Sequence, residues 1–259
     1  MAVGENYMES GEAASRSQIG LPGVQQDLVK AVMSTGKPVV ALVMAGRPLT
    51  ITWMAQHVPA IINTWHLGTR AGDAIANVLT GDYNPSGKLT MTFPRNTGQI
   101  PIYYNHKNTG RPFEADNKYT SKYLDVSNDP LYPFGYGLSY TSFSYSPIRL
   151  DKDSISMADS LQVSVTVTNT GKYAGEEVVQ LYTHDVVASV TRPVKELKGF
   201  KKIMLQPGEK KEVAFVIHPE QLSFLDANLH RTIEPGMFEV FVGTNSSELQ
   251  KSAFKLLAD

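Results

Sequence analysis

The spacing of apolar residues in the first hundred positions alternates between strand-like and helix-like. An apolar run at 38–44 (PVVALVM) and a shorter one at 60–62 predict buried strands, since strands of a parallel sheet are apolar on both faces. Helical spacing covers 28–33 and 71–79, and Gly81 is placed to cap the second helix. Strands that alternate with helices favour a parallel sheet with crossover helices. This part of the chain is therefore predicted to be an α/β layer sandwich.

From about residue 146 the pattern changes to alternation of apolar and polar residues. Turn signals at 169–171 (NTG), 206–209 (QPGE) and 234–236 (EPG) separate the runs. Short strands separated by turns at regular spacing are typical of an antiparallel β-sandwich. The predicted strands lie at 161–167, 177–182, 199–205, 213–217, 238–242 and 253–257.

Between the two patterns lies a stretch rich in proline, glycine and aromatic residues. A loop of this length is uncommon in a compact domain unless it is functional or a linker, and its aromatic density argues against a solvated linker. We predict an α/β domain at 1–104, incomplete at its N-terminus, an aromatic-rich interdomain strap at 105–145 and a β-sandwich at 146–259. An aromatic platform for sugar rings is the alternative interpretation of the strap.

Composition removes several classes of function. The 24 basic and 25 acidic residues give a net charge of −1, which argues against a nucleic-acid binder. No apolar run approaches the roughly 18 residues that a membrane span requires. The absence of cysteine excludes a disulfide scaffold, a thiolate metal site and a cysteine nucleophile. The histidines are scattered, and the glycine-rich stretches lack phosphate-loop spacing, so neither a metal nor a cofactor is predicted.

The densest polar cluster lies at residues 5–16, after a strand end and before a helix. Ligands of open α/β sheets bind at this edge. Glu12 lies on a loop beside Gly11 and can project into a cleft, and Arg16, four residues later, is placed to hold it. Taken alone, these residues favour a solvated, charge-rich loop.

Longer motifs resemble glycoside hydrolase family 3. In the first part they resemble the C-terminal α/β sandwich of that family, and the motifs at 192–200 (RPVKELKGF) and 234–236 (EPG) resemble its fibronectin type III-like, immunoglobulin-like domain. The motifs of the first part are 65–68 (WHLG), 72–79 (GDAIANVL), 81–89 (GDYNPSGKL), 93–94 (FP), 98–101 (GQIP), 108–112 (NTGRP) and 131–140 (LYPFGYGLSY).

The resemblance implies a retaining β-glucosidase of the bacterial periplasmic type. In that family a TIM barrel supplies an aspartate nucleophile and most sugar contacts, and the α/β sandwich supplies the acid/base glutamate from a Gly-Glu-x-x-x-Arg loop. Residues 11–16 (GEAASR) match this loop, which makes Glu12 the expected acid/base and Arg16 its supporting residue. Glu5 and Glu9 are interpreted as ordinary solvated residues.

No segment resembles the barrel or its nucleophile motif, and the first strand begins abruptly. We therefore expect a C-terminal fragment that is inactive alone and acts on a β-glucoside or oligosaccharide together with the missing barrel. The resemblance implies a periplasmic or extracellular location and leaves a homodimer open; no substrate-binding residue is assigned. The alternative is a non-catalytic carbohydrate-binding or scaffolding module.

Overall fold

A computed structural model describes residues 1–258, which divide into two compact units. The first unit comprises Met1–Tyr83, Met91–Ile102 and Tyr123–Tyr132, and the second comprises Asn84–Thr90, Tyr103–Lys122 and the chain from Pro133 onward. The segment 105–145 is thus divided between the units, and its role as an interdomain strap stays a prediction.

The first unit is built on a parallel sheet, as the alternation of strands and helices predicts. Its strands lie in the order β1-β2-β3, with Val3 of β1 opposite Val43 of β2 and Val43 opposite Asn63 of β3. None of the helices within residues 1–258 is long and apolar enough to cross a membrane. The elements are β1 (Ala2–Gly4), α1 (Gln25–Met33), β2 (Val40–Met44), α2 (Thr52–His57), β3 (Ala60–Asn63) and α3 (Ala71–Thr80), with short 3₁₀ turns at Gly68–Arg70 and Thr97–Gln99.

The core of this unit surrounds β2, where Ala41 and Val43 are fully buried. Gly81 ends α3 in the left-handed conformation and its N–H donates to the Val78 carbonyl at 3.2 Å, so the predicted cap is confirmed. Helix α2 is absent from the sequence prediction, because its six residues are too few to display a helical period. The remaining core residues are Val3, Ile19, Val29, Val39, Ala45, Leu49, Ile51, Met54 and Val58.

The second unit is a β-sandwich. One sheet has the order β10-β7-β4, with β5 also paired to β7, and the other has the order β6-β14-β13-β8-β9. The strands are β4 (Phe143–Tyr145), β5 (Arg149–Leu150), β6 (Ser154–Ile155), β7 (Leu161–Asn169), β8 (Gly175–Asp185), β9 (Glu196–Leu205), β10 (Lys210–Ile217), β11 (Phe224–Leu225), β12 (Arg231–Thr232), β13 (Gly236–Gly243) and β14 (Leu249–Leu256).

Alternate residues of the long strands form the sandwich core. Val163, Val165 and Val167 of β7 are buried and face a core that includes Val240 and Val242 of β13. The pairing of β7 with β10 is antiparallel, as is that of β13 with both β8 and β14. The predicted fold class, a parallel α/β domain followed by an all-β sandwich, is therefore confirmed.

A buried charged network joins the segment Asn84–Thr90 to strand β8. Lys88 Nζ lies 3.3 Å from a carboxylate oxygen of Glu177 and also donates to the Thr244 hydroxyl and the Gly137 carbonyl, at 3.0 and 3.2 Å. The hydroxyls of Thr244 and Tyr145 donate to Glu177 Oε1 at 2.7 and 2.9 Å. Burial, and after it the charge of Glu177, raises the pKa of the Tyr145 hydroxyl far above its usual value. Tyr145 is therefore protonated at neutral pH, as its hydrogen bond to Glu177 requires.

The aromatic-rich segment supplies packing to the second unit. The ring of Tyr104 stacks on Phe134, with centroids 4.5 Å apart, and meets Tyr182 edge-on at 5.6 Å. Phe113 and Tyr119 are exposed in the same stretch. The rings of Tyr104 and Phe134 are partly buried, and their contacts with each other and of Tyr104 with the buried Tyr182 stabilise this packing beyond the area they cover.

Candidate active site

The strands β1, β2 and β3 end at one edge of the parallel sheet. Glu5 directly follows β1, Arg47 follows β2 after a short turn, and His66 follows β3. The Glu5 N–H donates to the Met44 carbonyl at 2.8 Å, which extends the β1–β2 pairing by one residue. The carboxyl edge of an open parallel sheet is where ligands bind. The polar loop 6–18 begins at this edge.

Gly4 fixes the direction in which the chain leaves β1. Its φ is +142°, and a Cβ at this position would lie 1.9 Å from the Met44 carbonyl oxygen. The side-chain amide of Gln25 in α1 accepts from the Gly4 N–H at 2.7 Å and donates to the Gly4 carbonyl at 2.9 Å. The start of the loop is therefore anchored to the sheet and to α1.

We expect Gly4→Ala to lower the free energy of unfolding of the first unit by about 3 kcal/mol, from left-handed strain and the clash with Met44. Chemical denaturation of the 259-residue chain measures the loss. Gly72→Ala is the matched control, because Gly72 lies in α3 with open space around it and alanine favours a helix. Equal stability of the two variants would contradict the prediction.

Glu5 is a buried carboxylate between two arginines. Its side chain has no exposed area, whereas those of Arg16 and Arg47 are 21% exposed. Arg16 Nη1 donates to Glu5 Oε1 at 2.7 Å, and Arg47 Nε lies 2.9 and 3.2 Å from the two carboxylate oxygens. The interpretation of Glu5 as a solvated residue is wrong, because its side chain is buried. Arg47, which follows the neighbouring strand β2, compensates the buried negative charge.

Arg47 also holds the backbone on both sides of Glu12. Its Nη2 donates to the Glu9 carbonyl at 2.5 Å and to the Ala14 carbonyl at 2.7 Å. One guanidinium thus joins the buried Glu5 to the two ends of the segment 9–14. The other carboxylate of the segment, Glu9, is half-buried and accepts from the Asn6 N–H at 3.1 Å.

Glu12 lies at the tip of this segment and is exposed. It lies between Gly11 and Ala13, which have φ values of +106° and +57°. Among residues 1–258 its carboxylate has no hydrogen-bond or ion-pair partner. A positive φ at a residue with a side chain, as at Ala13, is found where surrounding contacts enforce it, commonly at functional sites. The loop therefore presents a free carboxylate at the sheet edge.

Arg16 does not contact Glu12, contrary to the pairing that their four-residue separation suggests. It reaches back to Glu5, and its Nη2 donates to the Gly20 carbonyl at 3.2 Å. The physical reason is that residues 11–13 form a bend and turn and residues 14–16 are irregular, so the stretch is not helical and a spacing of four does not bring side chains together. The support of the loop by Arg16 stays a prediction, and the contacts of Arg16 are with Glu5 and Gly20.

The loop approaches the end of β2 closely at Gly46. A Cβ on Gly46 would lie 2.0 Å from Ser10 Oγ, and His66 Nε2 lies 3.4 Å from the same hydroxyl. Within residues 1–258, no group of three or more histidine, aspartate or glutamate side chains is arranged to hold a metal ion. The chemistry that the loop offers is that of an exposed carboxylate.

Sequence reasoning missed Glu5, Arg47 and Gln25 as members of the site. A signal for Glu5 and Arg47 existed, since each closely follows a predicted parallel strand, and such ends meet at one edge. Gln25 carried no signal, because it lies before the helical spacing predicted at 28–33 and contacts Gly4 across 21 positions.

The first unit thus carries an exposed acidic loop at the carboxyl edge of its parallel sheet, and the second unit is a β-sandwich. The chain matches the Glycosyl hydrolase family 3 C-terminal domain over residues 1–140 and the Fibronectin type III-like domain over residues 177–246. The chain belongs to glycoside hydrolase family 3.

Curated relatives and solved structures agree with this assignment. The chain is 51% identical to the periplasmic beta-glucosidase of Salmonella typhimurium, over 98% of its own length and 34% of that protein. It is 47% identical to a beta-xylosidase of Formosa agariphila, over 95% of this chain and 33% of the relative. The crystal structure of beta-glucosidase from Listeria innocua in complex with glucose superposes with a TM-score of 0.95 at 46% identity, over 99% of this chain and 36% of that one. The chain thus spans about a third of the length of these relatives.

Proposed function

We propose that this chain is the C-terminal portion of a retaining β-glucosidase and supplies its acid/base residue, Glu12. We call the longer protein that would carry it the parent enzyme. The observation that carries the proposal is the unpaired, exposed carboxylate of Glu12 on a loop clamped at the carboxyl edge of the sheet. The match of residues 11–16 to the family's acid/base loop supports the same assignment.

The proposed chemistry is a double displacement. Glu12 protonates the glycosidic oxygen as the leaving group departs and then removes a proton from the water that hydrolyses the glycosyl-enzyme. A second carboxylate must lie about 5–5.5 Å away as nucleophile. In this proposal it comes from the barrel domain that the family resemblance implies. Arg16 keeps a supporting role through Glu5 and does not touch the reacting atoms.

The proposed substrate is a terminal β-linked glucosyl residue, and the proposed location is the periplasm. Support comes from relatives named beta-glucosidase, among them the periplasmic one of Salmonella typhimurium. Relatives named beta-xylosidase make the xyloside the competing substrate. A higher kcat/KM of the parent enzyme for p-nitrophenyl β-glucoside than for the β-xyloside is the expected result, and the reverse order would contradict the glucosidase assignment.

We expect the parent enzyme to release β-glucose first, since two displacements retain the anomeric configuration. Proton NMR during early turnover identifies the anomer before it equilibrates in water. The isolated 259-residue chain should show no turnover of p-nitrophenyl β-glucoside, because it supplies the acid/base and not the nucleophile. Release of α-glucose first, or turnover by the isolated chain comparable to that of the parent enzyme, would contradict the proposal.

A further inference from the structure

We propose that Glu5 is a positioning residue for the acid/base loop, and that it acts on Glu12 through the guanidinium of Arg47. This inference rests on the proposed role of Glu12. Neither Glu5 nor Arg47 belongs to the Gly-Glu-x-x-x-Arg pattern at residues 11–16.

The side chain of Glu5 is fully buried. A carboxylate removed from water is strongly destabilising unless charged partners and hydrogen bonds compensate it. Arg16 and Arg47 supply that compensation at 2.7–3.2 Å, and the Glu5 backbone is fixed by its bond to Met44. The carboxylate is therefore a fixed point at the end of β1, not a mobile surface group.

The guanidinium of Arg47 is planar, so engagement of Nε by Glu5 sets the direction in which Nη2 points. That direction is toward the carbonyls of Glu9 and Ala14. Those carbonyls lie at the two ends of the segment that carries Glu12, so the orientation of Arg47 determines how tightly the segment is closed.

The side chain of Glu12 has no partner among residues 1–258, so its position depends on the backbone of the loop. A shift of about 1 Å in a catalytic group can cost on the order of 100-fold in rate. Glu5 thus affects the reaction without touching substrate, by way of Arg47 and the loop backbone.

The first experiment measures the loop in the 259-residue chain and needs no activity. Hydrogen–deuterium exchange is compared for the wild type, Glu5→Gln and Arg47→Lys. We expect about tenfold faster exchange at residues 6–14 in both variants, with β2 and β3 unchanged. Arg47→Lys keeps the charge beside Glu5 but lacks the planar fork, so it tests geometry and is the milder change if Glu5→Gln folds poorly.

Asp27→Asn is the matched control, because it also removes one carboxylate partner, from the exposed pair with Lys30 in α1. Its loop should exchange as in the wild type. Unchanged exchange at 6–14 in Glu5→Gln and Arg47→Lys would overturn the proposal. Faster exchange spread evenly through the first unit would also overturn it, because that result describes a general stabilising ion pair.

The second experiment measures the parent enzyme. For Glu5→Gln we expect kcat/KM to fall roughly 10- to 100-fold for glucosides with poor leaving groups and less than about threefold for activated aryl glucosides, since only the former need a well-placed acid. KM should change little. An equal loss for all leaving groups would overturn the positioning role. Should Glu12→Ala itself show no leaving-group dependence, the proposed function fails, while the exchange experiment still decides whether Glu5 holds the loop.

Discussion

Glu12→Ala in the parent enzyme is expected to lower kcat/KM by roughly 10²–10⁴-fold for glucosides with poor leaving groups, the range that general acid catalysis contributes. The loss should be much smaller for activated aryl glucosides, because their leaving groups depart with little protonation. Added azide should partly restore turnover of the activated substrates, since an anion needs no general base and fits the space that alanine leaves. The measurements are kcat/KM across a leaving-group series, and kcat of the activated substrates with and without azide, because azide acts on the glycosyl-enzyme after the leaving group has departed.

Glu9→Ala is the matched control for this result. Glu9 is a carboxylate of the same loop, and its side chain accepts a bond from the Asn6 N–H. It should show no leaving-group dependence and no azide rescue. A flat profile for Glu12→Ala, together with a fall in thermal stability, would mean that Glu12 is structural. The acid/base assignment would then move to Glu9.

Lys88→Met is expected to lower the free energy of unfolding of the second unit by roughly 3–5 kcal/mol, because removing one partner leaves a buried charge uncompensated. The side chains of Lys88 and Glu177 are only 12% and 4% exposed. Urea or guanidinium denaturation, monitored at the sandwich, measures the loss. Adding Glu177→Gln to the variant should recover part of it, because a neutral amide is less costly to bury.

Lys251→Met is the control for this experiment. Lys251 pairs with Glu239 across β13 and β14, and its side chain is 59% exposed. Exposed pairs contribute about 0–1 kcal/mol, so this variant should unfold almost as the wild type does. Similar losses for Lys88→Met and Lys251→Met would show that the Lys88–Glu177 pair is not effectively buried.

The long strands could be predicted from the sequence because their burial is periodic. Val163, Val165 and Val167 alternate with polar neighbours, and the pattern alone places them on the inner face of β7. Strands of two residues, such as β5 and β11, contain no period and were not predicted. Alternation of apolar and polar residues must repeat several times before it can be distinguished from chance, so the sequence does not predict these short strands.

Contacts between distant residues explain what else the sequence left out. Lys88 meets Glu177 across 89 positions, and Arg47 meets Glu5 across 42. No local periodicity in the sequence links such pairs. The identity of a polar residue also does not reveal whether it is solvated or buried with a partner. Glu12 could be singled out because the motif of residues 11–16 is local, whereas the burial of Glu5 depends on a strand end elsewhere in the sheet.

The division of the chain into interleaved segments also sets the order in which the units can be completed during synthesis. Ribosomes release the amino end first, and domains generally fold as their residues emerge. The sheet of the first unit is made early, yet its segment Tyr123–Tyr132 emerges only after Asn84–Thr90 and Tyr103–Lys122 of the second unit. The Lys88 side chain therefore stays solvated until its partners Glu177 and Thr244 have been synthesised. A nascent chain that ends before β13 lacks the strand that pairs with β8 and β14, together with the core residues Phe238, Val240 and Val242.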